Sequence, residues 1–563
     1  MTYSRFSNRR QFLRGVGATG AATVAASALR IHPLLGSGTA SANSEEDPDS
    51  DRRQQAFEIR KGAALAERRI PVPEQRTNGD EQAYPNKIGN FSKGLPHNDI
   101  GEVDLAAYAT LTDALASEDP AMFEQITLGA PPADRRRLVN PQAGLAFDLQ
   151  GTDSHQLTIP PAPAFSSADE AAEIVEDYWM ALLRDVPFGE YDSNPTARAA
   201  AAELSNLPGF SGPRDASGRV TGNTLFRGST PGDVAGPYLS QFLLLPVPFG
   251  SESVSSRQQT YVPGLDYMTN FPEWLTVQRG FQRGSNQFDS TRRYIRNGRD
   301  LSAFVHVDAL FQAYFLAFLI LNQIQAPLNR GNPYNNSLTQ DGFGTFGVPH
   351  AQTLCTEVCS RALRAVWFQK WFVHRRLRPD EFAARLHNVK IGVADYPIHA
   401  DALRSNAARE VHRRHGSYLL PMAFPEGAPF HPAYGAGHAT VAGACVTMLK
   451  ALFDGSAKIG DLLRAGDTGY TTPVVPSSDG ESLVPYTGDD AGDLTVEGEL
   501  NKVASNIGLG RDHAGVHWRS DHAQSIYLGE QVAISILRDQ GGCYNEAFQG
   551  FTFTKFDGTV VTI

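Results

Sequence analysis

A mostly α fold with a helical-bundle core is what this sequence predicts, and three observations carry that expectation. Apolar residues recur at i, i+3/i+4 through several long stretches. The most apolar run, "LSAFVHVDALFQAYFLAFLILNQIQAP" at 301–327, is hydrophobic nearly all round, as a central helix is. No strand–helix alternation of the kind that builds a parallel sheet is evident.

The elements follow in chain order. "SNRRQFLRGVGATGAATVAASALRIHPLLGSGTASA" pairs Arg9 with Arg10, continues with Phe12-Leu13 and a weakly apolar Ala/Gly-rich segment, and closes on Ala40-Ser41-Ala42. That is the pattern of a twin-arginine export signal over residues 1–42, and it predicts a periplasmic or extracellular protein that folds before export. Residues 43–100 are polar and acidic, and read as an extended N-terminal arm, disordered at its start. Residues 101–563 form one helical catalytic domain, with the site-bearing part at about 300–530. Within it, "ADEAAEIVEDYWMALLRDV" (168–186) is amphipathic and opens on a capping stretch, and "TARAAAAELSNL" is a second helix. Pro, Gly and Asn break 208–300 into loops and short helices.

The 301–327 run is long enough to be mistaken for a membrane span. His306, Asp308, Gln312, Asn322, Gln323 and Gln325 interrupt it, so a buried helix is expected and no membrane span in the mature chain. "AQTLCTEVCSRALRAVWFQKWFVHRRL" (351–377) reads as another long helix, ending where Pro379 disfavours helical geometry at Arg378. Two more helices are expected near 438–454 and 516–538, and a small β-hairpin around Asp557-Gly558.

The whole chain has a formal charge of −11; residues 1–42 hold five arginines and no acid, which leaves −16 on the remainder. An acidic surface of that size argues against nucleic acid or an anionic membrane as partner, and makes local arginine clusters stand out. Four cysteines are few for an exported chain. Cys355 and Cys359 share a helix face; a disulfide to Cys445 or Cys543 is not assignable from spacing.

Three segments carry unusual chemistry. "KWFVHRRLRP" supplies Lys370, Arg375, Arg376 and Arg378. "FHPAYGAGHATVAGAC" (430–445) supplies His431 and His438 around glycines 435 and 437, directly before a good helix. "NIGLGRDHAGVHWRSDHAQS" supplies Arg511, His513, His517, Arg519 and Asp521. Unpaired backbone N–H groups at a helix start attract an anion, and glycines let the backbone approach it. A helix begun near Gly515 puts His517 and Asp521 on one face, where the carboxylate fixes one imidazole nitrogen and frees the other to bind a metal or attack phosphorus. Arg511, ahead of that helix, is free to join. Lysine and arginines converging there would neutralise a tetrahedral oxyanion. Blander readings stand beside these. His513, His517 and His522 have the spacing of a zinc cluster, but the arginines around them repel a cation. "HRRLR" alone is usually a solvated basic face, and a single histidine is usually structural.

Taken together, Lys370-x7-Arg378-Pro379, Gly437-His438 and Arg511-x5-His517-x3-Asp521 resemble the vanadium-dependent haloperoxidases, which share a helical-bundle core with the type 2 phosphatidic-acid phosphatases. The seven-residue Lys–Arg gap and His431 resemble the algal and bacterial bromoperoxidase branch, and Trp367 is similar to a residue on the halide side of brown-algal enzymes. The resemblance implies vanadate(V) as cofactor, with His517 bonding vanadium and oriented by Asp521, and Lys370, Arg378, Arg511 and the Gly437 N–H on its oxygens. It implies His438 as acid/base, Lys370 as a polarising group for bound peroxide, and His431 and Trp367 around the halide. Hydrogen peroxide, a halide (bromide first, iodide second) and a small organic acceptor are then the partners, and a homo-oligomer the expected state. One departure is visible: where the family has Pro-Ser-Gly-His, this chain reads Gly435-Ala436-Gly437-His438, so a serine hydroxyl is missing. Two alternatives use the same residues: a phosphatase acting through a phosphohistidine at 517, and an inactive anion-binding homologue.

Overall fold

A computed structural model describes residues 48–563, apart from 283 and 467; the arginine pair and the Ala40-Ser41-Ala42 step lie outside the described residues. The chain divides into two compact units, 1–61 and 62–563. Of the first, the described part is the beginning of helix α1 (Pro48–Arg68), a long and mostly exposed helix. An extended arm was expected here. Its Ala, Arg, Gln, Glu and Lys residues are strong helix formers, and their propensity outweighs the acidic start. The rest of the expected arm also differs: Ile88, Phe91, Ser92, Lys93 and Leu95 are buried. The Ser92 amide donates to Glu381 at 3.0 Å and the Phe91 amide to the Arg375 carbonyl at 2.8 Å. Polar composition concealed a core segment because buried partners satisfy its polar groups.

Unit 62–563 is helical, with three two-stranded antiparallel hairpins among the described residues. The C-terminal hairpin pairs Thr552–Thr554 with Val560–Thr562, around the expected turn. Helix α2 (Ala168–Leu182) starts where the Ser167 side chain accepts from the Glu170 amide, and nearly every residue of it is buried. The 301–327 run is not one central helix. It is α3 (Gly298–Val307) and α4 (Gln312–Gln323), bent by 101° about a break that contains Asp308. No single helix among the described residues is long and apolar enough to cross a membrane.

Helix α5 (Val348–Phe368) ends earlier than Pro379 requires: residues Gln369–His374 form a π turn, closed by Arg375 in the left-handed region at φ 41°. Arg378 then adopts the extended backbone that a following proline demands, and helix α6 (Pro379–Lys390) begins, with Glu381 accepting from the Arg378 amide at 2.9 Å. Helices α7 (Gly437–Leu452), α8 (Val496–His513) and α9 (Arg519–Gly541) complete the bundle. Small residues let α7 and α9 press together: a Cβ on Gly443 would lie 2.0 Å from the Ile526 carbonyl, and one on Gly529 2.0 Å from that of Thr440. This contact brings the N-terminus of α7 beside that of α9, and the site lies there.

Candidate active site

Lys370 sits in the π turn after α5, fully buried, with Nζ donating to the carbonyls of Pro432 and Ala433 at 2.9 Å each. Arg378, also fully buried, donates from Nε and Nη2 to the His431 carbonyl at 2.9 and 2.7 Å, and from Nη1 to the Val516 carbonyl at 2.6 Å. Nη1 further reaches His517 Nε2 at 2.9 Å, and Nη2 reaches His431 Nδ1 at 2.9 Å. Arg511 occupies the last turn of α8, not a loop before the next helix, and donates from Nη1 to the Val305 carbonyl at 2.8 Å. Among the described residues no carboxylate reaches ion-pair distance of any of these three cations. Burial lowers the pKa of all three, and mutual repulsion adds to it for Lys370 and Arg378; the latter is brought down to about 9.

His517 precedes α9 instead of lying on it; the helix begins two residues later, after the left-handed Gly515 at φ 80°. Its relation to Asp521 is therefore not that of two residues on a helix face. Asp521 occupies the first turn of α9 and reaches back, taking the Trp518 amide at 3.2 Å and His517 Nδ1 at 2.8 Å on the same oxygen. The Nδ1–H thus donates to Asp521 and Nε2 carries the lone pair. Burial and the neighbouring Arg378, Lys370 and Arg511 hold His517 well below the usual imidazole range, so it is neutral. Asp521 is pushed up by burial to about 6, with Arg376 pulling the other way.

The N-terminus of α7 closes the site. Thr440 donates to the Ala436 carbonyl at 3.0 Å, the first bond of the helix, so the Gly437 and His438 amides have no intrahelical acceptor. His438 Nε2–H donates to Asp308 at 3.1 Å, so Nδ1 carries the lone pair; its pKa is lowered by burial, with Asp308 opposing. Above these residues lies a cavity of about 310 Å³ whose walls include His431, Gly437, His438, Arg511 and His517. Trp367 forms part of the wall, 4.9 Å from the His431 ring and held by an indole bond to the Val139 carbonyl at 3.0 Å.

The residues that the resemblance assigned to the site lie together: Trp367, Lys370, Arg378, His431, Gly437, His438, Arg511, His517 and Asp521; Arg375 and Arg519, also conspicuous in the sequence, instead pair with Glu81 and Glu176. His513 and His522 do not join them. The first bonds Tyr238 and the second faces Asp512, and among the described residues no cluster of three or more His, Cys, Asp or Glu is placed to hold a metal ion. Cys355, Cys359 and Cys445 are buried free thiols, and Cys543 is exposed and free. Three groups named in the sequence were given no place in the site. Asp308, partner of His438, was visible only as an acid interrupting an apolar run. His306, with Glu426 at 2.8 Å, lines the cavity. Arg376 donates to Asp521 at 2.8 Å and orients it from behind.

A tetrahedral oxyanion fits these donors on the structure's own terms. Arg511 Nε is buried and has no hydrogen-bond partner. Lys370, Arg378 and Arg511 have no carboxylate at ion-pair distance among the described residues, and the Nε2 lone pair of the neutral His517 lies 2.9 Å from Arg378 Nη1.

Residues 354–541 match the family described as the VCPO second helical-bundle domain. The chain is 37% identical, over 603 aligned residues, to a vanadium-dependent bromoperoxidase of Corallina pilulifera, with 91% of this chain and 98% of that one covered. It is 36% identical over 535 residues to one of Ascophyllum nodosum, with 92% and 93% covered. Among solved structures it matches the homohexameric second vanadate-dependent bromoperoxidase of Ascophyllum nodosum, with a TM-score of 0.84, 33% identity and 94% of each chain covered.

Proposed function

The chain belongs to the vanadium-dependent bromoperoxidases, and from that premise we propose that it uses vanadate and hydrogen peroxide to oxidise a halide, bromide first and iodide second, for the halogenation of small organic acceptors. Vanadate(V), when bound, supplies a Lewis-acid centre that activates peroxide for two-electron oxidation of the halide without changing its own oxidation state. His517 Nε2, on a ring held neutral and directed by Asp521, would be the donor to vanadium. Lys370, Arg378, Arg511 and the Gly437 amide would hold its oxygens. His438 moves the proton at Nδ1, with Asp308 fixing its tautomer. Lys370 would also be the cation available to polarise peroxide, and His431 with Trp367 would form the halide side.

One observation carries this reading: three buried cations without carboxylate partners among the described residues add to burial in keeping His517 neutral, and one of them, Arg378, touches its lone pair at 2.9 Å. The test loads purified protein with orthovanadate and measures peroxide-dependent bromination of a cyclic diketone, and separately measures phosphate-ester hydrolysis without vanadate. Bromination is the expected result. Hydrolysis alone establishes the phosphatase, and neither activity establishes an inactive anion binder.

Export by the twin-arginine route and a homo-oligomeric state belong to the same proposal. The arginine pair at 9–10 supports the first, and the homohexamer of the solved relative supports the second. Cell fractionation with Arg9 and Arg10 replaced by lysine, and light scattering on the purified protein, check them.

A further inference from the structure

We propose that the cavity above the oxyanion pocket binds the organic acceptor itself, and that this acceptor is a small aromatic carboxylate anchored at Arg137. The inference rests on the bromoperoxidase reading and names the substrate class of the same site. Vanadate, a halide and a peroxide are each only a few atoms, yet the cavity, which includes the oxyanion end at Gly437, Arg511 and His517, measures about 310 Å³, within the range of small-molecule sites. Its outer walls are those of an aromatic-binding pocket: Leu310, Leu363, Trp367, Phe424 and Phe430.

The rim adds charge. Arg136 and Arg137 both line the opening. Arg136 is partly spoken for, with its guanidinium 5.6 Å from the Phe430 ring centre and 3.9 Å from Glu426. Glu426, the carboxylate on this wall, is itself occupied by His306 at 2.8 Å; against its burial, that bond and Arg136 hold it ionised down to about 2. Arg137 is exposed and has no hydrogen-bond or ion-pair partner among the described residues. A flat ring between Trp367 and Phe424, with its carboxylate turned out to Arg137, satisfies both walls and rim in a chain whose overall charge is negative.

The transfer balances with the oxidant this enzyme already uses. A ring carbon attacks bromine of hypobromous acid, the C–Br bond forms and the O–Br bond breaks. The oxygen leaves with the electron pair and takes the ring proton to give water. Overall, aromatic C–H, bromide, hydrogen peroxide and one proton give aromatic C–Br and two waters.

The experiment uses the vanadate-loaded holoenzyme, so that the oxyanion pocket is already filled, and compares 4-hydroxybenzoate with neutral 4-hydroxybenzamide. Calorimetry without peroxide is expected to show the acid binding about tenfold more tightly than the amide. Arg137→Gln should remove most of that ratio. With peroxide and bromide present, bromination of the acid should saturate and follow the same ratio. The proposal is overturned if neither compound binds, if both bind alike, if Arg137→Gln weakens both equally, or if competition between them gives the product ratio of added hypobromite. An Arg137→Gln effect confined to the bromide KM, equal for both acceptors, also overturns it and assigns the arginine to halide attraction. Bromination of a cyclic diketone continues in all these cases if the bromoperoxidase reading is right, so the two proposals fail separately.

Discussion

Arg376 and Arg378 stand two residues apart in one loop, both almost wholly removed from water, and their surroundings are opposite. Arg376 is enclosed by carboxylates: Nη2 bonds Glu170 and, at 2.8 Å, Glu173, while Nη1 bonds Asp521 at 2.8 Å. These acids override its burial and raise its pKa well above the usual guanidinium value. The Arg378 guanidinium has carbonyls and imidazoles around it, no carboxylate at ion-pair distance, and a pKa lowered to about 9 by burial and Arg511, against the pull of Asp521. The first arginine's charge is neutralised by the fold. The second is left for a ligand to neutralise, and that distinguishes a structural cation from a binding one where residue type cannot.

Removing each arginine should therefore have different consequences. Arg376→Met leaves Glu170, Glu173 and Asp521 buried without their cation, and is expected to cost about 3–5 kcal/mol of stability. Urea denaturation with and without orthovanadate checks this, since added vanadate should not restore what is lost. An Arg376→Met protein as stable as the parent would erase the distinction.

Arg378→Gln should act on binding. Losing one charge-assisted bond to the oxyanion is expected to weaken orthovanadate affinity by about 1.5–3 kcal/mol, roughly ten- to a hundredfold. Thermal stability without vanadate should fall far less than in Arg376→Met, because a repelled buried charge is removed together with its hydrogen bonds. A thermal-shift titration separates the two quantities.

The histidines of the site sharpen the comparison through pH. His431, His438 and His517 are all lowered by burial, so below about pH 6.5 the unfolded chain takes up protons that the folded site refuses. Their contribution to stability is complete above that pH and is lost as pH falls. Asp521, raised to about 6, opposes this between about 6 and 4, because there the folded state binds the extra proton. The vanadate-free protein should lose thermal stability between pH 7 and 5, and His438→Gln should lessen the loss. Scanning fluorimetry across that range reads both.

The smallest effect concerns the missing hydroxyl. Ala436→Ser restores a donor at the N-cap of α7 and should tighten orthovanadate binding by about threefold to tenfold, with water supplying part of the bond in the parent. If the serine instead caps the helix, stability rises by about 0.5–2 kcal/mol with affinity unchanged. Equilibrium dialysis and a melting curve together decide which.

Much of the site could be read from the sequence because its residues are chemically unusual where they stand. A lysine and two arginines in an acidic chain, a Gly-His at a helix start and a His-x3-Asp pair are conspicuous before any folding. The proline at 379 likewise shows where a helix must have ended. The sequence also determined the helical class, since periodicity is a local property of each segment. Tertiary structure decided the rest. Only packing of α7 on α9 brings the Gly437-His438 helix start beside the turn that carries His517 and Asp521. Only the bend at 308 brings an acid from an apolar run to His438. And which of Arg376 and Arg378 meets carboxylates depends on α2, some two hundred residues earlier in the chain. Charge pairing in a buried site is a long-range contact with no local signature, so the sequence could nominate the cations but not divide them between fold and ligand.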